Sequence, residues 1–282
     1  MEITSFFHHD SSTYTHLLWD TDSREAAVID PVLDFDYKSG RTHTESADLV
    51  IAKIDELGLT LRYILETHAH ADHISAAPYI KHLRGGVLGI GRHIDQVQDV
   101  FKGVYNLGDL ATDGSQFDRL LSEGDTLALG KLTITVLETP GHTPACVAYQ
   151  IEDAVFIGDT FFSPQAGTAR VDFPGGNAHQ QYQSLTKLLA LPDSTRLFLC
   201  HDYPAEGEVP VPMVTVAEQK ARNIYLQGGS EQDYVTRRQA RDATLDMPVL
   251  ILPSIQVNIQ AGQMPEPEDN GVSYLKLPLN QF

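Results

Sequence analysis

The chain has 282 residues, 42% of them apolar, enough for one large domain or for a domain with an appendage. Its 38 acidic against 20 basic residues give a formal charge of -18, which disfavours nucleic acid or an anionic membrane surface as partner but leaves room for an anionic small substrate held by a few local cations. No apolar stretch approaches the roughly 20 residues of a membrane span, the N-terminus lacks the pattern of a secretory leader, and Cys146 and Cys200 make no disulfide framework, so a soluble cytoplasmic protein is expected.

In chain order, alternation over residues 14–19 and again over Glu25–Ile29, ending at Asp30-Pro31, predicts a strand pair. Residues 34–47 are polar, carry Gly40 and predict a loop. Apolar residues at 47, 50, 51, 54 and 57 have helical spacing, stopped by Gly58. Residues 61–65 follow as a buried strand.

Directly behind that strand lies Thr67-His68-Ala-His70-Ala-Asp72-His73. Burying several imidazoles and a carboxylate on one short loop is costly unless something pairs with them, and a metal ion does so. Ile74, Ala77, Ile80 and Leu83 predict a helix with Asp72 near its start and Gly85-Gly86 at its end. Residues 87–90 read as a short strand, and the mixed region 95–117 supports no assignment.

Residues 127–137 read as a hairpin turning at Gly130-Lys131, and they run into Glu138-Thr-Pro-Gly-His142. Val147–Ile151 and residues 154–157 are strands across a tight Glu152-Asp153 turn, the second delivering Gly158-Asp159. Leu185, Leu188 and Leu189 place a helix after Asp172-Phe-Pro-Gly-Gly, and residues 196–199 deliver Cys200-His201-Asp202. Ligand-type residues thus recur at separate strand ends, which is the strongest functional signal in the chain. Beyond Tyr203 come a Pro-rich link, helical spacing over 216–226 and 234–245, an apolar run over 249–259 and a polar tail. The expected organisation is a catalytic core over 1–205 and an extension over 206–282 that packs on it and walls the site.

His68-Ala-His70-Ala-Asp72-His73, Gly141-His142, Gly158-Asp159 and His201 together resemble the ligand motifs of the metallo-β-lactamase fold superfamily, in its order, over about residues 1–205. The resemblance implies an α/β fold, an αββα sandwich with the metal site along one edge, here with a C-terminal helical and extended elaboration. Within the superfamily the chain is more similar to persulfide dioxygenases than to glyoxalase II. The likeness rests on Gly141-His-Thr-Pro-Ala-Cys146, Gly167-Thr-Ala-Arg170-Val-Asp-Phe-Pro-Gly-Gly176, His201-Asp202-Tyr203, Arg238-Gln-Ala-Arg241-Asp242 and Pro253-Ser-Ile-Gln-Val-Asn258-Ile259.

That similarity implies one Fe(II) per chain on His68, His142 and Asp159, a reaction of glutathione persulfide with dioxygen and water to sulfite and glutathione, and Tyr203 as a hydrogen-bond donor beside the reacting oxygen. Related enzymes are often homodimers. Two imidazoles and one carboxylate on one face of iron leave positions for a persulfide sulfur and dioxygen, whereas zinc supports only hydrolysis.

The inventory also permits a dinuclear site. His70, Asp72, His73 and His201 bind metal in hydrolytic relatives, and the resemblance places them around the ion instead. A glyoxalase II-like thioester hydrolase with two metals is therefore the leading alternative, and a non-catalytic persulfide-binding module is one of another class. Arg170, Lys220 and Arg238 are candidates for the substrate's carboxylates, with a solvated helix face as the other reading of the last two and a local pair as that of Arg241-Asp242. Cys146 and Cys200 are expected to be buried structural thiols rather than nucleophiles.

Overall fold

The computed structural model describes residues 1–205, 207–227 and 229–281. Strands β1 (Glu2–His8), β2 (Thr13–Trp19) and β3 (Glu25–Ile29) form an antiparallel ladder. Side chains alternate across a strand, and here the alternation sorts two cores: Leu17, Ala26 and Val28 face one apolar cluster, Leu18, Ala27 and Ile29 another. A hairpin of β4 (Val32–Asp36) and β5 (Arg41–His43) precedes α1 (Glu45–Leu57), β6 (Thr60–Leu65), β7 (Ile74–Ser75), α2 (Ala77–Arg84), β8 (Val87–Gly91), α3 (Ile94–Tyr105) and β9 (Arg119–Leu121). The first sheet has the order β1-β2-β3-β6-β8-β9, parallel from β3 onward.

The second half builds β10 (Thr126–Leu129), β11 (Leu132–Glu138), β12 (Val147–Ile151), β13 (Ala154–Phe156), α4 (Ala178–Leu189), β14 (Arg196–Phe198), β15 (Met213–Thr215), α5 (Val216–Arg222), α6 (Glu231–Asp242) and α7 (Ile251–Asn258). Its strands form a sheet in sequence order, β10 to β15. Leu18, Ile29 and Leu65 of the first sheet meet Ile134, Val136, Tyr149 and Phe156 of the second in the central core. Outside the first sheet lie α1, α2, α3 and α7, through residues such as Ile54, Ile80, Phe101 and Ile255. Outside the second lie Leu185 and Leu188 of α4 and Tyr234 and Val235 of α6. Four layers result, helix, sheet, sheet, helix: the αββα sandwich. Side chains such as Leu18, Ile29 and Ile64 are wholly buried, each stabilising the sandwich by about 1.5–3 kcal/mol.

Three expectations need correction. Residues 34–47 hold a hairpin rather than a loop: β5 has no apolar residue to mark it, and β4 pairs with it and with the short β7. Extended β7 occupies Ile74, so the following helix starts at Ala77 with Pro78 in its first turn, and Asp72 does not cap it. The region left unassigned contains α3, whose buried face Ile94, Val97, Gln98, Phe101 and Tyr105 has helical spacing interrupted by a polar residue. Among the described residues no helix is long and apolar enough to cross a membrane.

Candidate metal centre

The carboxyl ends of β6, β11, β13 and β14 open at one edge of the sandwich and carry His68, His142, Asp159 and His201. Two glycines make the convergence possible. Gly158 has φ +50, and a Cβ there would lie 2.7 Å from the Thr67 side chain. Gly141 has φ +144 and abuts the backbone of Gln181 at 2.4 Å from its ideal Cβ. Each immediately precedes a ligand-type residue and lets its strand end close on its neighbour.

His68 Nε2 and His142 Nε2 lie 3.9 and 3.7 Å from Asp159 Oδ2, and the two imidazole planes stand 89° apart. These three side chains offer atoms all within 4.8 Å of one another, and so does a second set, His70, Asp72 and His73. His201 Nε2 bridges the sets, 3.4 Å from Asp159 Oδ1 and 3.6 Å from Asp72 Oδ2.

The hydrogen-bond network assigns the tautomers. Thr67 Oγ1 donates to Asp30 Oδ2 (2.8 Å), so it accepts from His68 Nδ1 (3.0 Å). His142 Nδ1 donates to the Arg170 carbonyl (2.7 Å), His201 Nδ1 to the Ser12 carbonyl (3.1 Å), His73 Nδ1 to Asp72 Oδ2 (3.1 Å) and His70 Nε2 to Asp30 Oδ1 (3.0 Å). One nitrogen of every ring is thus tied down as a donor, which leaves the other to face the cluster. His68 Nε2, His70 Nδ1, His73 Nε2 and Asp159 Oδ1 are buried without a hydrogen-bond partner. Unpartnered polar atoms at this density are costly by themselves and are what a cation satisfies, displacing the His70 proton where it binds that ring, while oxygen-anchored imidazoles are the usual support of metal ligands. The residues therefore fit a metal ion.

Burial, then the neighbouring His70 and His142, hold His68 well below the ordinary imidazole range, so it stays neutral. Burial pulls His70 down too, but Asp30 and Glu66 outweigh it and hold this ring well above that range. Glu66 Oε2 lies 3.3 Å from His70 Nε2, and Glu66 Oε1 accepts from Ser75 Oγ. Sequence reading missed Asp30 and Glu66. Asp30 accepts at both oxygens, from Thr67 N (2.7 Å), Thr67 Oγ1 and His70, at a left-handed φ of +50. A buried acid at the end of a strand was the available signal.

Beside the centre opens a cavity of 1320 Å³ that His142, Asp159, His201 and Tyr203 all line. Tyr203 stacks on His201 at 5.9 Å between ring centroids, and Phe162 meets both edge-on. Arg170 lines the cavity, but its guanidinium holds Asp172 (2.6 Å) and lies over Phe173. Arg238 is 2% exposed and engaged by Asp242 (2.8 Å) and the Thr168 carbonyl (2.8 Å), a pin between α6 and the core. Lys220 is exposed, pairs with Asp193 at 2.6 Å and is not among the cavity-lining residues. Arg241 does line the cavity, bonded to Thr244 Oγ1 at 3.4 Å. Arg241 bonds to no carboxylate among the described residues, whereas Lys38, also in the lining, acts on Asp36. Both thiols are free and buried, which pushes Cys146 up to about 12 and Cys200 well above its ordinary value.

Comparisons with known proteins give the family. The metallo-beta-lactamase superfamily profile matches residues 10–201. A probable metallo-hydrolase of Burkholderia pseudomallei (strain 1710b) is 54% identical, covering 99% of this chain and 99% of its own length. The mitochondrial persulfide dioxygenase ETHE1 of Mus musculus is 31% identical over 79% of this chain and 75% of its own. The crystal structure of ETHE1 from Myxococcus xanthus superposes with a TM-score of 0.76 at 31% identity, covering 93% of this chain and 100% of that one. With the profile match spanning the strand ends that carry the clustered imidazoles and Asp159, the chain belongs to the metallo-beta-lactamase superfamily.

Proposed function

We propose that this protein is a non-haem iron dioxygenase, oxidising glutathione persulfide with dioxygen and water to sulfite and glutathione. One observation carries the reading: His68, His142 and Asp159 form a two-histidine, one-carboxylate group within 4.8 Å, of which His142 and Asp159 line the cavity. The likeness to the persulfide dioxygenase of Mus musculus supports it. An Fe(II) ion held there would leave positions for a sulfur and dioxygen side by side and would supply the redox chemistry that zinc lacks.

The chain's own residues do the rest. Thr67 and the Arg170 carbonyl fix the His68 and His142 rings by accepting from Nδ1, leaving Nε2 of each toward Asp159. His70, Asp72, His73 and His201 surround the ion on this reading. Tyr203 offers its hydroxyl from the cavity wall beside His201. Phe162 and Phe173 line the same wall and exclude water from the reacting sulfur. Arg241 faces the substrate's carboxylates, with Arg170 beside it in the wall but already engaged by Asp172, while Lys220, paired on the outer surface, does not. Residues 1–205 form the catalytic core, and residues 206–282 wall the cavity with Tyr225, Arg241 and Leu245. Two buried free thiols favour a reducing, cytoplasmic setting.

A second reading also has an observation in its favour. His70 Nδ1 and His73 Nε2 are buried without a partner beside Asp72, a set able to hold a second ion once His70 gives up its proton, and to activate water for thioester hydrolysis. The 54% identical relative bears the name of a hydrolase. Elemental analysis of protein purified without added metal, with oxygen uptake on glutathione persulfide and thioester cleavage measured in parallel, separates the two. One iron per chain with oxygen uptake is the expected result; two metals with thioester cleavage and no oxygen uptake would overturn the first reading.

A further inference from the structure

The loop between β6 and β7 carries His68, His70, Asp72 and His73 without regular secondary structure of its own. Something outside it must hold its backbone. The holder comes from the far end of the chain: Asn258, the last residue of α7, is 4% exposed and turns both side-chain donors and its acceptor oxygen to the loop. Its Nδ2 donates to the carbonyls of His70 and His73, both at 2.8 Å, and its Oδ1 accepts from the Ser75 amide at 2.9 Å.

The contact continues on both sides of that side chain. Gly262, with φ +77, follows α7 and comes so close that a Cβ would lie 2.8 Å from Pro78 Cδ and 3.1 Å from the Ser75 carbonyl oxygen. Ser75 Oγ donates to Glu66 Oε1 and accepts from the Ala77 amide (3.0 Å), and Glu66 in turn lies against His70. At its other end α7 is anchored independently, Tyr105 donating to the Ile251 carbonyl (3.1 Å), and just beyond the helix Gln98 Nε2 donates to the Ile259 carbonyl (2.8 Å).

We propose that Asn258 is a positioning residue, through which the C-terminal helix presets the ligand loop before any metal arrives. Three bonds from one rigid amide fix the backbone at residues 70, 73 and 75. That removes loop entropy which the metal would otherwise have to overcome on binding. The extension thereby acts on the centre from behind as well as bounding the cavity in front. The inference concerns the loop and does not depend on which metal or how many occupy it.

The test uses the full chain freed of metal. Amide hydrogen exchange in the wild type is expected to be slow at Ser75 and to become fast in Asn258→Ala, with the amides of β6 unchanged. Cobalt(II) titration, followed by the visible d–d spectrum, is expected to show a dissociation constant about 10–100-fold higher in the variant and an altered band shape. Gln98→Ala is the control: it loosens the attachment of α7 without touching the loop, and its cobalt affinity and spectrum should match the wild type. Asn258→Asp keeps the side-chain volume and the Ser75 acceptor but turns one oxygen, in place of Nδ2, toward two carbonyls, so it should lose cobalt at least as strongly and serves if the alanine variant does not fold.

Equal Ser75 exchange in wild type and variant overturns the proposal, as does wild-type cobalt affinity and spectrum in Asn258→Ala. Failure of both variants to fold overturns it in favour of a purely structural role. A wild type that takes up no cobalt contradicts the metal reading instead, while the exchange result still decides for or against Asn258.

Discussion

Substituting Asp30 by asparagine tests how ligand tautomers are set at this centre. Asparagine is among the residues most at ease in the left-handed region, so the φ of +50 at this position does not confound the change. The amide oxygen can replace Oδ1 and still accept from Thr67 N and His70 Nε2. The amide nitrogen must then replace Oδ2 and present a donor to the Thr67 hydroxyl, which in the wild type donates to that oxygen. The hydroxyl turns to accept, and its proton points at His68 Nδ1, 3.0 Å away. His68 is driven to the other tautomer, with a proton on Nε2, the atom facing Asp159 and the candidate ligand. Removing the charge also weakens the bonds to Thr67 and His70 from charge-assisted strength, about 1.5–3 kcal/mol each, to about 1 kcal/mol. The expected loss of stability is therefore about 2–5 kcal/mol in the metal-free protein, read from urea unfolding. Metal affinity should fall by about 10–100-fold or more, read by titration with a chelator competitor. An asparagine variant that unfolds earlier yet binds metal as the wild type does would refute the tautomer relay and leave Asp30 a purely structural acid.

Other outcomes follow from single environments. His16 is buried, donates to the Leu199 carbonyl at 2.9 Å, and burial lowers its pKa to about 4. The unfolded chain takes up that proton first, so stability held above pH ~6.5 is given up as pH falls to about 4 and amounts to about 3 kcal/mol. The stability difference between wild type and His16→Gln should shrink by that amount over this window, and a difference independent of pH would contradict it. In the cavity, Arg241→Ala should raise KM for a glutathione-based substrate about 10-fold, ~1.4 kcal/mol, because no carboxylate of the described chain already occupies its guanidinium. Lys220→Ala should leave KM within about 2-fold, since its partner is Asp193 on the surface; equal effects of the two would refute this placement of the substrate.

Much of the site was readable along the chain because strand ends followed by glycine and a ligand-type residue form local patterns. Gly141-His142 and Gly158-Asp159 are such patterns, and the geometry explains their glycines by contacts with Gln181 and Thr67. Strands with one face in each core, such as β2 and β3, announced themselves by alternation. What failed lacked a local signature. Strand β5 of the β4–β5 hairpin has no apolar residue, α3 carries Gln98 on its buried face, and Arg238 looks like a surface cation until Asp242 and Thr168 are seen to hold it.

By itself, then, the sequence determined the alternation that builds two sheets, the helical faces that cover them, and which residue types wait at the strand ends. Only the tertiary structure decided which nitrogen of each imidazole is free, that Asp30 and Thr67 set this for His68, and that Asn258 reaches the loop from the opposite end of the chain. The physical reason is range. Backbone periodicity is written between near neighbours, whereas a hydrogen-bond network is satisfied by atoms far apart in sequence whose meeting depends on how every intervening layer packs.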